Sequence, residues 1–136
     1  MQRAFRKRVS KDAVLLAHGV RSGLEQKVSE DLTARGIEYE YEAHKVKYIV
    51  PESTHMYTPD FRLPNGIFVE TKGLWETADR MKHLHIRKSN PGLDIRLVFS
   101  NSRSKIAKGS KTTYGIWCEK QGIKYADKRI PDDWLN

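Results

Sequence analysis

The stretch 57–72, YTPDFRLPNGIFVETK, constrains this chain more than any other. Its turn decides which of its side chains can meet. Pro64-Asn65-Gly66 suits a three-residue hairpin loop, in which proline sets the first turn position and glycine accepts the left-handed one. That loop pairs Leu63 with Ile67, Phe61 with Val69, and Asp60 with Glu70. Cross-strand partners share a face of the sheet. Phe61, Leu63, Ile67 and Val69 then form an apolar face. Asp60, Arg62, Glu70 and Lys72 form the other, with Phe68 the exception. A two-residue loop at Asn65-Gly66 would pair Asp60 with Thr71, part the two carboxylates and mix both faces. A one-residue slip flips every side chain, so the segregation selects the longer loop.

Two adjacent carboxylates repel each other unless a cation sits between them. Magnesium takes oxygen ligands, commonly one or two carboxylates together with phosphate oxygens. Lys72 follows Glu70 by two positions on the same face, where it can orient a water or stabilise charge on a phosphate. Two acids and a lysine around a metal suit phosphodiester hydrolysis. On charge alone the same residues also describe a surface hairpin with an exposed Glu–Lys pair, an arrangement that contributes little.

The distribution of charge favours the first reading. The 136 residues carry a net charge of +8, and the cations are segregated. Residues 1–11 hold Arg3, Arg6, Lys7, Arg8 and Lys11 without an acid. Residues 80–93 hold Arg80, Lys82, Arg87 and Lys88 without one. Residues 95–118 hold Arg96, Arg103, Lys105, Lys108 and Lys111, again without one. Such segments point to a polyanion, and nucleic acid is the expected partner. No apolar run reaches the length of a membrane span, and residues 14–17 are too short for a signal-peptide core. The lone Cys118 cannot form an intrachain disulfide, which fits a reducing cytoplasm. No Cys/His cluster for zinc and no glycine-rich phosphate loop is present.

The length suits one domain, expected over 13–136 after a basic arm at 1–12 whose Arg6, Lys7 and Arg8 are candidate DNA contacts. Residues 13–35 have helical character, with Leu24, Val28 and Leu32 as an apolar stripe and Gly36 as a stop. Ser22 and Glu25 match a capping box, which offers Glu25 a purely structural role. Residues 37–42 alternate, with Glu38, Glu40 and Glu42 on one face. Residues 45–50 form a further strand. Residues 74–90 read as a helix with Met81 and Leu84 toward the core. Arg80, His83 and Arg87 share a face of that helix as candidate phosphate contacts. Residues 95–99 form a strand. The loop after it offers Arg103 and Lys105 to phosphate oxygens, and Lys108 extends the basic strip. A helix over 113–121, a short strand over 123–126 and a closing segment that docks Trp134 complete the chain. The elements imply an α/β fold: a mixed sheet carrying the hairpin, flanked by helices.

Pro59-Asp60 followed by Glu70-Thr71-Lys72 resembles the PD-(D/E)xK signature of the restriction-endonuclease-like nucleases. The resemblance extends to the segments 21–25 (RSGLE), 57–61 and 63–76, and to Tyr114-Gly115. There the chain is similar to the endonuclease I family of T-odd bacteriophages, resolvases of four-way (Holliday) DNA junctions. It covers about 21–134. The resemblance implies a restriction-endonuclease-like fold and a domain-swapped homodimer in which the bridge 51–54 crosses between protomers. Each site would then join Glu25 of one chain to Asp60, Glu70 and Lys72 of the other. It also implies two magnesium ions per site, replaceable by manganese. Asp60 would bridge them. Glu70 and the Thr71 backbone carbonyl would complete one site, and Glu25 would serve the other. Lys72 would position the water, and Glu40 is a further acid near the site. Products would carry 5′-phosphate and 3′-hydroxyl ends, and the enzyme would act in the cytoplasm of an infected host. Junction choice would come from DNA shape, because backbone contacts carry no base code. A sequence-specific or mismatch-directed nuclease and a non-catalytic DNA-binding module are the alternatives.

Overall fold

A computed structural model describes residues 23–50 and 52–136. The arm, with Arg6, Lys7 and Arg8, lies outside the described residues, as do the first half of the expected 13–35 helix and Pro51.

The order of elements follows the pattern of the sequence. Helix α1 (Gly23–Ala34) buries Val28 and Leu32 and ends at Gly36, whose φ of 72° is the left-handed conformation that stops a helix. Strand β1 (Glu40–Tyr41) is followed by a β2–β3 hairpin (Val46–Val50, Ser53–Tyr57). Strands β4 (Phe61–Arg62) and β5 (Phe68–Lys72) form the second hairpin. Helix α2 (Thr77–Ser89), strand β6 (Ile95–Phe99), helix α3 (Tyr114–Gln121), strand β7 (Tyr125–Asp127) and a 3-10 turn (Asp132–Trp134) complete the fold. The closing strand starts two residues and ends one residue later than the pattern places it, because Gly122 and Ile123 close α3, with the Ile123 N–H donating to the Cys118 carbonyl.

The main sheet has the order β1-β4-β5-β6-β7, antiparallel from β1 to β5 and parallel from β5 to β7. Parallel pairing requires crossovers, and α2 and α3 supply them. The register of β4 against β5 is the one that the three-residue loop dictates: Phe61 faces Val69, and the Leu63 N–H donates to the Ile67 carbonyl at 2.9 Å.

Side chains alternate across the sheet and sort into two layers of core. Phe61, Leu63, Ile67, Val69 and Val98 pack with Val28 and Leu32 of α1, with Tyr39 and Tyr41, and with the docked Trp134. On the opposite face Phe68 and Ile95 pack with Ile86 of α2 and with Val46, Tyr48 and Tyr57 of the small hairpin. Leu97 and Phe99 pack there with Trp75, Tyr114 and Cys118. Phe68 breaks the polar pattern of its strand because the β2–β3 hairpin covers it. Asn90 Nδ2 donates to the Lys47 carbonyl at 2.7 Å and the Ile49 N–H to Ser89 Oγ at 2.9 Å, which tie that hairpin to the end of α2.

Residues 53–54 are not an extended bridge. They are the first residues of β3: Val50 pairs with Ser53 and Val46 with Tyr57 in the same chain.

Candidate active site

The two hairpins and α1 converge on Asp60. Pro59 is buried at the entry to β4, and the Asp60 side chain faces β5. Asp60 Oδ2 accepts from both the Thr71 N–H and the Thr71 hydroxyl, each at 2.9 Å. Thr71 is thereby the clamp that orients Asp60.

Glu70 sits one position earlier on β5. Its Oε1 accepts from the Tyr57 hydroxyl at 2.8 Å, and its Oε2 lies 3.9 Å from Lys72 Nζ. Lys72 also reaches Asp79 Oδ1 at 3.4 Å. Asp79 belongs to the capping box that opens α2 on Glu76, so the start of α2 helps hold the lysine.

Glu25 reaches this corner from α1. It is 4% exposed, and its Oε2 accepts from the Tyr41 hydroxyl at 2.7 Å. One chain therefore brings Glu25 to Asp60 without a second protomer. The carboxylate oxygens of Glu25, Glu42 and Asp60 lie within 4.8 Å of one another.

The alternation at 38, 40 and 42 does not distinguish Glu42, and the family resemblance points to Glu40. Glu40 instead pairs with His44 at 2.6 Å and with Arg62 at 3.2 Å, and it stands outside the three-acid group. The reason is local. Strand β1 ends at Tyr41, and Glu42 takes a φ of 48°, so the alternation of 38, 40 and 42 does not continue. The Glu42 N–H then donates to the Asp60 carbonyl at 3.0 Å. The only hint in the sequence was a third acid two residues beyond Glu40.

The electrostatics are those of crowded, buried acids. Burial first, then the charges of Glu70 and Glu25, push the Asp60 carboxyl up to about 9. Burial also raises Glu70, to about 7, against the opposing pull of Lys72 and the Tyr57 hydrogen bond. An oxygen-only donor set whose members resist ionising together fits a hard divalent cation, which removes the repulsion.

The expected phosphate contacts divide. Arg80 is 6% and His83 1% exposed, so neither presents its side chain to DNA. The Arg80 guanidinium donates to the Trp75 carbonyl and to Thr77 Oγ1, and it lies 6.0 Å from the Trp117 ring centroid. His83 lies against Trp75 and Tyr57, and burial holds its imidazole down at about 3, uncharged at neutral pH. Arg87 is half-buried and donates to the Ile95 carbonyl. Arg80 is thus a buried structural cation and His83 a neutral core imidazole, because α2 turns the stripe 80, 83 and 86 inward and Met81 outward.

Arg103, Lys105 and Lys108 are exposed. Their loop is firmly built. Ser102 donates from its N–H and its hydroxyl to the Asp127 carboxylate, at 2.6 and 2.7 Å. The Ser100 N–H donates to the Lys72 carbonyl at 3.1 Å, which starts the loop beside the acids.

The chain as a whole has relatives among known proteins. The family model described as phage endonuclease I matches residues 1–136. The chain belongs to that family. It is 65% identical to Endonuclease I of Escherichia phage T7 over 115 residues, which is 85% of this chain and 77% of the T7 protein. It is also 65% identical to Endodeoxyribonuclease 1 of Enterobacteria phage T3 over 111 residues, covering 82% of this chain and 73% of that protein.

Proposed function

We propose that this chain is a structure-selective endodeoxyribonuclease that resolves four-way and other branched DNA junctions, with the corner of Glu25, Asp60, Glu70 and Lys72 as its active site. The observation that carries the reading is the three-acid group of Glu25, Glu42 and Asp60, with Glu70, held by Tyr57 beside Lys72, close enough for its charge to raise the Asp60 carboxyl. Membership of an endonuclease family supports it.

Magnesium, with manganese as its substitute, would be held by Asp60, Glu70, Glu25 and the Thr71 carbonyl, and would lower the pKa of a bound water and neutralise developing phosphate charge. The protein's own parts have distinct tasks. Thr71 fixes Asp60, and Tyr57 fixes Glu70. Lys72, held between Glu70 and Asp79, positions the attacking water. The exposed Arg103, Lys105 and Lys108 contact backbone phosphates, as do Arg6, Lys7 and Arg8 of the arm. Products carry 5′-phosphate and 3′-hydroxyl ends.

The fold is of the restriction-endonuclease-like type, a single domain over 13–136 after the arm at 1–12. The working form is a domain-swapped homodimer, which places two sites on one junction. The exposed faces of Ile49 (56%) and Met56 (55%) on the small hairpin support an interface between copies. No helix among the described residues is long and apolar enough to cross a membrane. The setting is the cytoplasm of an infected host.

Cleavage of an immobile four-way junction, compared with linear duplexes of the same sequence across a magnesium titration, tests this reading. The junction is expected to be cut far faster, and only with metal. Equal rates on both substrates would overturn junction selectivity. Binding without cleavage at any metal concentration would overturn the nuclease.

A further inference from the structure

Tyr57, the last residue of β3, stands where three parts of the acid corner meet. It is 2% exposed. Its hydroxyl donates to Glu70 Oε1 at 2.8 Å. Its ring lies edge-on to His83, with centroids 5.3 Å apart, and 5.6 Å from the Lys82 ammonium.

The hydroxyl matters because Glu70 has two oxygens and needs one orientation. With Oε1 taken by Tyr57, Oε2 is left on the side of Lys72. Without that partner the carboxylate keeps the Asp60 backbone hydrogen bond and the pull of Lys72 but loses the side-chain anchor on Oε1. Groups that hydrogen-bond metal ligands from behind set ligand orientation, and losing one typically weakens metal binding by about 10–100-fold.

The ring matters because of what it holds. Lys82 is exposed, and among the described residues it forms no ion pair. A cation near an aromatic face is attracted by the ring quadrupole, which restricts a long side chain. Its charge reaches Glu70 and helps hold that carboxyl down. Arg80 and His83 on the same helix are turned inward, so Lys82 is the α2 cation that remains open to a ligand at this corner.

We infer that Tyr57 is a positioning residue of the nuclease site, fixing Glu70 through its hydroxyl and poising Lys82 through its ring to contact a substrate phosphate beside the one cut. This rests on the nuclease reading above.

Three variants of the full chain separate the parts. Tyr57→Phe removes only the hydroxyl, Lys82→Met only the charge, and Tyr57→Leu both the hydroxyl and the ring. Metal binding is read without DNA, as the magnesium concentration that half-saturates the rise in melting temperature. DNA contact is read as the salt dependence of junction binding in calcium. Circular dichroism confirms that each variant is folded. Tyr57→Phe is expected to raise the magnesium midpoint about tenfold or more. Lys82→Met is expected to reduce the slope of log affinity against log salt by about one. Tyr57→Leu is expected to do both. An unchanged magnesium midpoint in Tyr57→Phe would overturn the role of the hydroxyl. An unchanged slope in Lys82→Met would overturn the phosphate contact. Asp60→Ala is the control: if it too kept the wild-type magnesium response, the failure would be that of the metal-site reading itself.

Discussion

At the scale of single residues, the acid corner is a conflict that the fold maintains. Asp60 and Glu70 are both pushed above the carboxylate range near 4, chiefly by burial. A carboxyl with a raised folded-state pKa means that the folded protein holds protons the unfolded chain has released. Its contribution is whole below about pH 4 and is lost as pH rises toward about 9. Metal-free protein is therefore expected to melt at progressively lower temperature from about pH 5 to about pH 9. Magnesium should reverse the loss, and Asp60→Asn should flatten it. Melts in chelator across that range check this, and a profile as steep in Asp60→Asn as in the wild type would contradict it. Lys72 makes a different prediction. Between Glu70 and Asp79 it has little packing to lose. Lys72→Ala is expected to keep junction affinity and to lose about a hundredfold or more in single-turnover cleavage. A variant that cut at the wild-type rate would remove Lys72 from the mechanism.

At the scale of elements, what could be read in the sequence depended on whether one local rule controlled the outcome. The β4–β5 register follows from Pro64-Asn65-Gly66 and the segregation of Phe61, Leu63, Ile67 and Val69, and both hold. The register does not itself place Asp60, which precedes β4: its carboxylate accepts from the Thr71 N–H and hydroxyl, while Glu70 accepts from Tyr57. The inward face of α2 did not follow, because its buried stripe is Arg80, His83 and Ile86. Apolar periodicity finds no such stripe when an arginine is buried by a backbone carbonyl and an indole. The turn of Glu42 toward Asp60 rests on one left-handed residue, which no alternation pattern contains. A close approach is equally silent in sequence. Gly115, at the start of α3, leaves no room for a methyl: an added Cβ would lie 2.6 Å from the Tyr125 hydroxyl oxygen and 2.8 Å from its Cζ. Tyr125 is held in place by its hydrogen bond to Glu119 at 2.6 Å. Gly115→Ala is expected to cost about 1–3 kcal/mol by overpacking, despite alanine's better helix propensity. Denaturant melts measure this. A variant as stable as the wild type would mean that Tyr125 and its strand yield freely.

At the scale of the whole molecule, the proposed swapped dimer makes the β2–β3 turn the hinge that would decide whether the site belongs to one chain or two. Glu25 lies on one side of that turn in sequence, and Asp60, Glu70 and Lys72 lie on the other. Folded back on itself, the hairpin lets a single chain bring Glu25 to Asp60. Opened, it would let two copies exchange the same contacts at little cost, which is the logic of domain swapping. The closed turn carries a penalty, because Glu52 takes a φ of 72°. A residue with a Cβ in that region costs roughly 1–2 kcal/mol that glycine does not incur. Opening the turn releases that penalty in both chains of a swapped dimer. Glu52→Gly removes it from the closed form and should shift the balance toward monomer. With about 1 kcal/mol for each of the two chains, the dimer should weaken by about thirtyfold. Sedimentation equilibrium measures this, and a dimer unchanged by the substitution would mean that this turn is not the hinge. Junction cleavage gives the functional readout. Two sites on one particle cut both strands within one encounter, whereas a monomer releases a nicked intermediate. Diluted Glu52→Gly protein should accumulate nicked junction at concentrations where the wild type yields only linear products.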